Sequence, residues 1–140
     1  MRGLVVDFGG VLAGTGSDRA GLTAIIGALR AAGVRTAILS NDPGGPAAAD
    51  LRGLGAGELV DEVVLSGDVG FAKPDPRIYR LTAERLGLTA ADCVFVDDLA
   101  VNVRGAAASG MVGVHHVDPE TTARELRILF DLGQGAQAQW

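Results

Sequence analysis

The sequence predicts an α/β protein, a three-layer α/β/α sandwich around a mostly parallel central sheet of five or more strands. Short apolar runs rich in Val, Ile and Leu alternate along the chain with segments of helical periodicity. Each run is continuous rather than alternating in polarity, which is typical of strands that are covered by helices on both faces.

Five apolar runs are predicted strands, and the segments between them carry helix start and stop signals. The predicted strands cover residues 4–6, 36–39, 63–65, 94–96 and 111–115. We expect a first helix that is capped by Ser17 and ends at Gly33, and a third that starts at the Asp75–Pro76 pair and ends near Leu86. The other predicted helices cover residues 47–54, 101–109 and 121–130.

Length and composition fit one folded domain, which we expect over residues 1–132, followed by a loose tail over residues 133–140. The chain has 140 residues, 48% of them hydrophobic and 21% charged, which excludes a disordered protein. No apolar run approaches the roughly 20 residues that span a bilayer. A net charge of −5 argues against nonspecific electrostatic binding to nucleic acid or to an anionic membrane.

The compartment is expected to be the cytoplasm. The N-terminal stretch has only a short apolar run, interrupted by Asp7, and lacks the longer apolar segment of a signal peptide. The single cysteine, Cys93, allows no internal disulfide, and we interpret it as a small core residue.

Unusual polar residues gather where the predicted strands end, which is the edge at which open α/β sheets bind ligands. They are Asp7, Ser40, Lys73, Asp97 and Asp98. Lys73 is the only lysine among 12 basic residues. Because Lys is a compact point charge and Arg a wide fork, this lysine is a candidate for a narrow phosphate site.

The charges at this edge favour a divalent cation. Three carboxylates that converge on one site repel each other, and an oxygen-liganded Mg²⁺ relieves that repulsion. A cation, a lysine and a hydroxyl around one further carboxylate form a site for a phosphoryl group, which the carboxylate can attack in line.

Four segments resemble, in order, the four motifs of the haloacid dehalogenase-like hydrolase superfamily. They read VVDFGGVL, ILSND, KPDPRIY and VFVDDLAVNVRGA within residues 4–107, and residues 110–118 resemble the family's fifth strand. One such motif alone would be weak evidence, whereas four in order after successive strands are specific. The resemblance implies a Rossmann-like fold, Mg²⁺ dependence, a phosphorylated substrate and an aspartyl-phosphate intermediate.

The resemblance also implies a role for each matching residue. The implied catalytic residues are Asp7 as nucleophile, Ser40 and Lys73. The implied phosphate-binding residues are Ser40, Asn41, Lys73 and Gly10. The implied metal ligands are Asp7, the backbone carbonyl of Gly9 and Asp98, with Asp97 in the outer shell, and Asn102 orients the acidic loop or Lys73.

Gly9 departs from the family pattern, because most phosphatases of the family carry there an Asp that protonates the leaving group. Such an acid or base is typically worth 10²–10⁴-fold in rate. Three alternatives follow: slow turnover of substrates with good leaving groups, a proton supplied by substrate or by another residue, or a degenerate module that only binds phosphate or a partner. Dehalogenation is disfavoured, since the Asp97–Asp98 pair points to a metal that dehalogenases do not use.

The second departure is that no segment is long enough for a cap domain. Residues 13–21 allow only a small flap, so we expect an open site that takes a small or larger phosphorylated substrate. An open site also suggests a homo-oligomer in which a neighbouring subunit serves as a lid. A phospho-accepting signalling receiver uses similar residues, but its acidic pair comes first along the chain, whereas here it comes last.

Overall fold

The computed structural model describes residues 1–13 and 19–132 of the chain. The tail predicted over residues 133–140 and the cap predicted at Ser17 lie outside the described residues.

The described residues form one parallel sheet of five strands, which confirms the predicted fold class. The strand order is β3-β2-β1-β4-β5, so that β1 lies in the centre of the sheet. The strands are β1 (Gly3–Val6), β2 (Arg35–Ser40), β3 (Glu62–Leu65), β4 (Cys93–Asp97) and β5 (Val112–His115).

Helices connect successive strands and supply the outer layers. The α-helices are α1 (Arg19–Ala31), α2 (Ala49–Arg52), α3 (Ser66–Val69), α4 (Pro76–Arg85), α5 (Ala100–Ala108) and α6 (Pro119–Leu129). Two 3₁₀ turns cover Pro46–Ala48 and Ala90–Asp92. None of the described helices combines the length and the hydropathy that a bilayer crossing requires.

Two helices differ from the sequence prediction at their ends. The helix predicted over residues 47–54 is a 3₁₀ turn followed by the single turn of α2. Helix α6 starts two residues early, because Asp118 rather than a later residue is its N-cap and Pro119 occupies the first helical position. The Asp118 carboxylate accepts hydrogen bonds from the Thr121 N–H at 2.8 Å and the Thr121 hydroxyl at 2.9 Å.

The apolar strands are continuous because consecutive side chains enter two different core clusters. Leu4 and Val6 of β1 pack in the cluster that contains residues of α1 and α6, whereas Val5 packs in the cluster that contains residues of α4. This period of two places both faces of β1 in the interior. Cys93 is fully buried in the second cluster, and burial raises the pKa of its thiol to about 11.

The strand register brings the polar strand ends together. Val6 pairs with Ile38 on one side and with Val96 on the other. The next residue, Asp7, donates its backbone N–H to the Val96 carbonyl at 2.9 Å. Asp7 therefore leaves the sheet beside Asp97 at the end of β4.

The short helix α3 was not predicted, and it packs against the loop that follows β2. A Cβ at Gly67 would overlap the backbone carbonyl of Pro43, so the two segments approach too closely for any other residue. The Gly67 N–H donates to the Asp42 carbonyl at 2.8 Å, and the Ser66 hydroxyl donates to the same carbonyl at 3.1 Å.

We expect Gly67→Ala to destabilise the protein by about 1–3 kcal/mol, since the backbone of one segment must move to admit the methyl group. Urea unfolding measures the change. Gly27→Ala is the matched control, because Gly27 lies in α1 with open space around a Cβ. There the same substitution should stabilise by about 0.5–1 kcal/mol. Equal effects of the two substitutions would contradict the close approach at Gly67.

Candidate active site

Lys73 lies at the centre of the carboxyl edge, with its ammonium group between two carboxylates. Its Nζ donates to Asp7 Oδ1 at 2.8 Å, to Asp97 Oδ2 at 2.9 Å and to the Leu39 carbonyl at 3.0 Å. An ammonium has three donors, so all of them are used. Only 1% of the Lys73 side chain is exposed.

The backbone of Lys73 is held by the side chain of Asn41, which comes directly after β2. Asn41 Nδ2 donates to the Lys73 carbonyl at 3.1 Å, and the Lys73 N–H donates to Asn41 Oδ1 at 2.9 Å. The Phe95 ring lies below the ammonium, with its centroid 5.3 Å from Nζ. Asn41 thus positions Lys73 with its side chain, whereas the resemblance implied a phosphate-binding role for this residue.

Asp97 is fully buried, and both of its oxygens are engaged within the protein. Oδ1 accepts from the Leu99 N–H at 2.9 Å, and Oδ2 accepts from Lys73 and, at 3.0 Å, from Asn102 Nδ2. Burial opposes ionisation of Asp97, but the hydrogen bonds from Leu99, Lys73 and Asn102 outweigh it and hold its pKa below the ordinary value. Asp97 is therefore an ionised carboxylate that forms a buried ion pair with the Lys73 ammonium.

In Asp7, the effect of burial on the pKa is larger than the effect of the neighbouring ammonium. Burial raises the pKa of its carboxyl to about 6, against the lowering effect of the Lys73 ammonium. The residue remains 8% exposed and lines the pocket, so its carboxylate is held in place yet accessible from one side.

The pocket at this edge has a volume of about 260 Å³ and gathers most of the residues singled out from the sequence. Its lining consists of Asp7, Gly9, Ser40, Asn41, Lys73, Asp98, Leu99 and Asn102. Asp7, Asp97 and Asp98 each offer a carboxylate oxygen within 4.8 Å of the others. This spacing can hold one metal ion among the three carboxylates.

Gly10 and the fully buried Asp97 are the implied site residues that do not line this pocket. The φ of Gly10, +79°, is in the left-handed region, and a Cβ there would overlap the Asp98 carboxylate. Gly10 thus allows Asp98 to approach the loop after β1. Gly9 has open space around a Cβ, with no described neighbour within 4 Å of it.

Two residues that contact the backbone of site residues were not identified from the sequence. The Tyr79 hydroxyl donates to the Asn102 carbonyl at 2.7 Å, and its ring meets Phe95 edge-on with centroids 5.4 Å apart. His115 Nε2 lies 2.9 Å from the Asp98 carbonyl oxygen. A single tyrosine on the apolar face of a helix was the available signal for Tyr79, because a buried hydroxyl needs a partner.

We expect Tyr79→Phe to destabilise the protein by about 1 kcal/mol, through loss of the buried hydrogen bond to the Asn102 carbonyl. The ring contact with Phe95 remains in this variant. Urea unfolding measures the change, and Tyr79→Leu, which also loses the ring contact, should lose more. Wild-type stability of Tyr79→Phe would contradict a contribution from the hydroxyl.

Comparison with known proteins supports the geometry of the core. A solved structure of an uncharacterised protein from Corynebacterium glutamicum is 44% identical, with a TM-score of 0.90 over 94% of this chain and 96% of that one. A phosphoglycolate phosphatase from Rhodospirillum rubrum is 37% identical over 91 residues, which are 65% of this chain and 38% of that protein. The (S)-2-haloacid dehalogenase 1 from a Pseudomonas species is 36% identical over 85 residues, 61% of this chain and 37% of that enzyme.

The chain spans less than two thirds of the length of both of these relatives. The family model for haloacid dehalogenase-like hydrolases matches residues 2–110, which include β1 to β4 and end before β5. This chain therefore belongs to the haloacid dehalogenase-like hydrolase family.

Proposed function

We propose that the protein is a Mg²⁺-dependent phosphohydrolase that acts through an aspartyl-phosphate on Asp7. The observation that carries the proposal is the placement of Asp7, which is held by the buried Lys73 and is accessible from a pocket that two further carboxylates adjoin. A phosphorylated compound is the substrate class that this combination of charges fits.

The residues fit a magnesium ion. Three carboxylates cluster beside one lysine, which contacts two of them, so the group carries a net charge of −2 that a divalent cation would neutralise. Hard oxygen donors suit Mg²⁺. Because both oxygens of Asp97 are engaged, Asp7, Asp98 and the Gly9 carbonyl would hold the ion directly, and Asp97 would act from the outer shell. When bound, the ion would neutralise charge on the phosphoryl oxygens.

The chain's own residues account for the covalent steps. An Asp7 oxygen attacks phosphorus, the bond from phosphorus to the leaving oxygen breaks, and the leaving oxygen takes a proton from water. Water then attacks the phosphorus of the aspartyl-phosphate and the bond from phosphorus to the Asp7 oxygen breaks, which releases inorganic phosphate and restores the Asp7 carboxylate. The proton that the attacking water loses neutralises the hydroxide left by the first step. Lys73 holds Asp7, while Ser40 and Asn41 at the pocket wall supply donors for the phosphoryl oxygens.

The alternative is a degenerate module that binds phosphate or a partner without turnover. Gly9 favours this alternative. Among the described pocket residues the carboxylic acids are Asp7, the proposed nucleophile, and Asp98, a proposed metal ligand, so neither replaces the missing proton donor. The two functions share the metal site and differ only in whether Asp7 reacts.

We expect Asp7→Asn to reduce hydrolysis of acetyl phosphate and p-nitrophenyl phosphate to background, because the amide cannot attack phosphorus. Wild-type turnover should require Mg²⁺ and stop with EDTA. 2-Chloropropionate is the control substrate for dehalogenation, and we expect no chloride release from it. Full phosphatase activity of Asp7→Asn would contradict the mechanism, and chloride release would favour a dehalogenase.

We expect Gly9→Asp to raise kcat for phenyl phosphate by about 10²-fold, the lower end of the range for a positioned acid, because its leaving group depends on a proton more than p-nitrophenolate does. A Cβ at Gly9 would have no described neighbour within 4 Å. Gly9→Asn has nearly the same shape but no acidic proton and should give no gain. An absence of gain in Gly9→Asp, together with a wild type that binds phosphate without turnover, would favour the degenerate module.

A further inference from the structure

A second recess adjoins the catalytic pocket and is larger, with a volume of about 420 Å³. Its apolar walls come from Phe8, Leu51 and Leu54, together with two alanines of the 3₁₀ turn before α2. Two carboxylates, those of Asp42 and Asp50, complete the lining. None of these residues has a part in the chemistry proposed above.

The two cavities meet along the loops that follow β1 and β2. Asp7 lines the catalytic pocket and the next residue, Phe8, lines the recess. Likewise, Asn41 lines the catalytic pocket and the next residue, Asp42, lines the recess. Neighbouring residues along both loops therefore border the two cavities, which places the recess next to the catalytic pocket.

The recess has a negative rim and no uncommitted cation among its described lining residues. Asp50 is exposed in the first turn of α2, and Asp42 is half-buried. The nearby Arg52 is committed to Asp68, with Nε–Oδ2 and Nη2–Oδ1 distances of 3.1 and 2.8 Å, and to the Gly45 carbonyl at 2.8 Å. The positive charge of Arg52 is therefore already paired with the Asp68 carboxylate.

We infer that this recess binds the leaving group of the substrate and selects one that is apolar and carries no negative charge, a cationic group being preferred. The inference rests on the proposed phosphohydrolase function. The apolar walls favour a hydrocarbon or aromatic body, and the two carboxylates repel a second anionic group and attract an ammonium. Substrates with a carboxylate or a second phosphate beside the scissile one are disfavoured.

Three aryl phosphates of similar size test this selectivity. They are phenyl phosphate, 4-(aminomethyl)phenyl phosphate and 4-carboxyphenyl phosphate, whose leaving groups are neutral, cationic and anionic. We expect kcat/KM to fall in the order cationic, neutral, anionic, with about tenfold between the extremes at low salt. The spread should shrink as ionic strength rises, because the rim is exposed.

Reversal of one rim charge provides the matched variant. Asp50→Lys should invert the order of the charged substrates, so that kcat/KM becomes higher for the anionic leaving group than for the cationic one. Glu84→Lys makes the same charge change on α4, where Glu84 lines a different groove, and should leave the order unchanged. Equal use of the three substrates, a preference for the anionic one, or an order that Asp50→Lys does not alter would overturn the inference.

A binding measurement separates failure of this inference from failure of the proposed function. Titration calorimetry with the matching arylphosphonates, which cannot be hydrolysed, is made on the wild type in the presence of Mg²⁺. If no aryl phosphate turns over but the phosphonates bind in the order cationic, neutral, anionic, the recess is as inferred and the phosphohydrolase function is wrong. Turnover with no charge order in binding or in kcat/KM overturns the inference alone.

Discussion

The buried ammonium of Lys73 between Asp7 and Asp97 is the interaction on which the site depends. Two carboxylates in the interior would repel each other and shed their charge, and the lysine keeps them ionised and close. The ammonium is itself held by the Leu39 carbonyl, so its position follows from the end of β2. A guanidinium is too wide for this arrangement, which accounts for a lysine in a chain that otherwise uses arginine.

The parallel sheet makes this arrangement possible, because it places the ends of β2, β1 and β4 side by side. The residues that follow these strands point to the same edge, and the loops are held from outside. Asn41 holds the backbone of Lys73, Asn102 holds Asp97, and Tyr79 holds Asn102. Rigid support of this kind fixes the orientation of the Asp7 carboxylate, as the proposed attack on phosphorus requires.

The strands, and the gathering of polar residues at their carboxyl ends, were predictable from the sequence because their signals are local. A run such as Leu4–Val6 has to be buried on both faces, and a polar residue that follows it marks the carboxyl edge. The side chain of Asn41 and the hydroxyl of Tyr79 contact residues 32 and 23 positions away, and no local pattern specifies such contacts. Helix α3 was missed because four residues that include Gly67 have little helical propensity, and its position depends on packing against Pro43.

A double-mutant cycle on Lys73 and Asp97, with free energies of unfolding measured by urea in EDTA, tests the charge balance most directly. Lys73→Met alone should destabilise by about 3–5 kcal/mol, since it leaves buried carboxylates without their cation. Asp97→Asn in the same chain should recover part of that loss, so that the double variant is less destabilised than the sum of the single variants. Strictly additive effects, or a Lys73→Met variant as stable as the wild type, would contradict the central place of this ion pair.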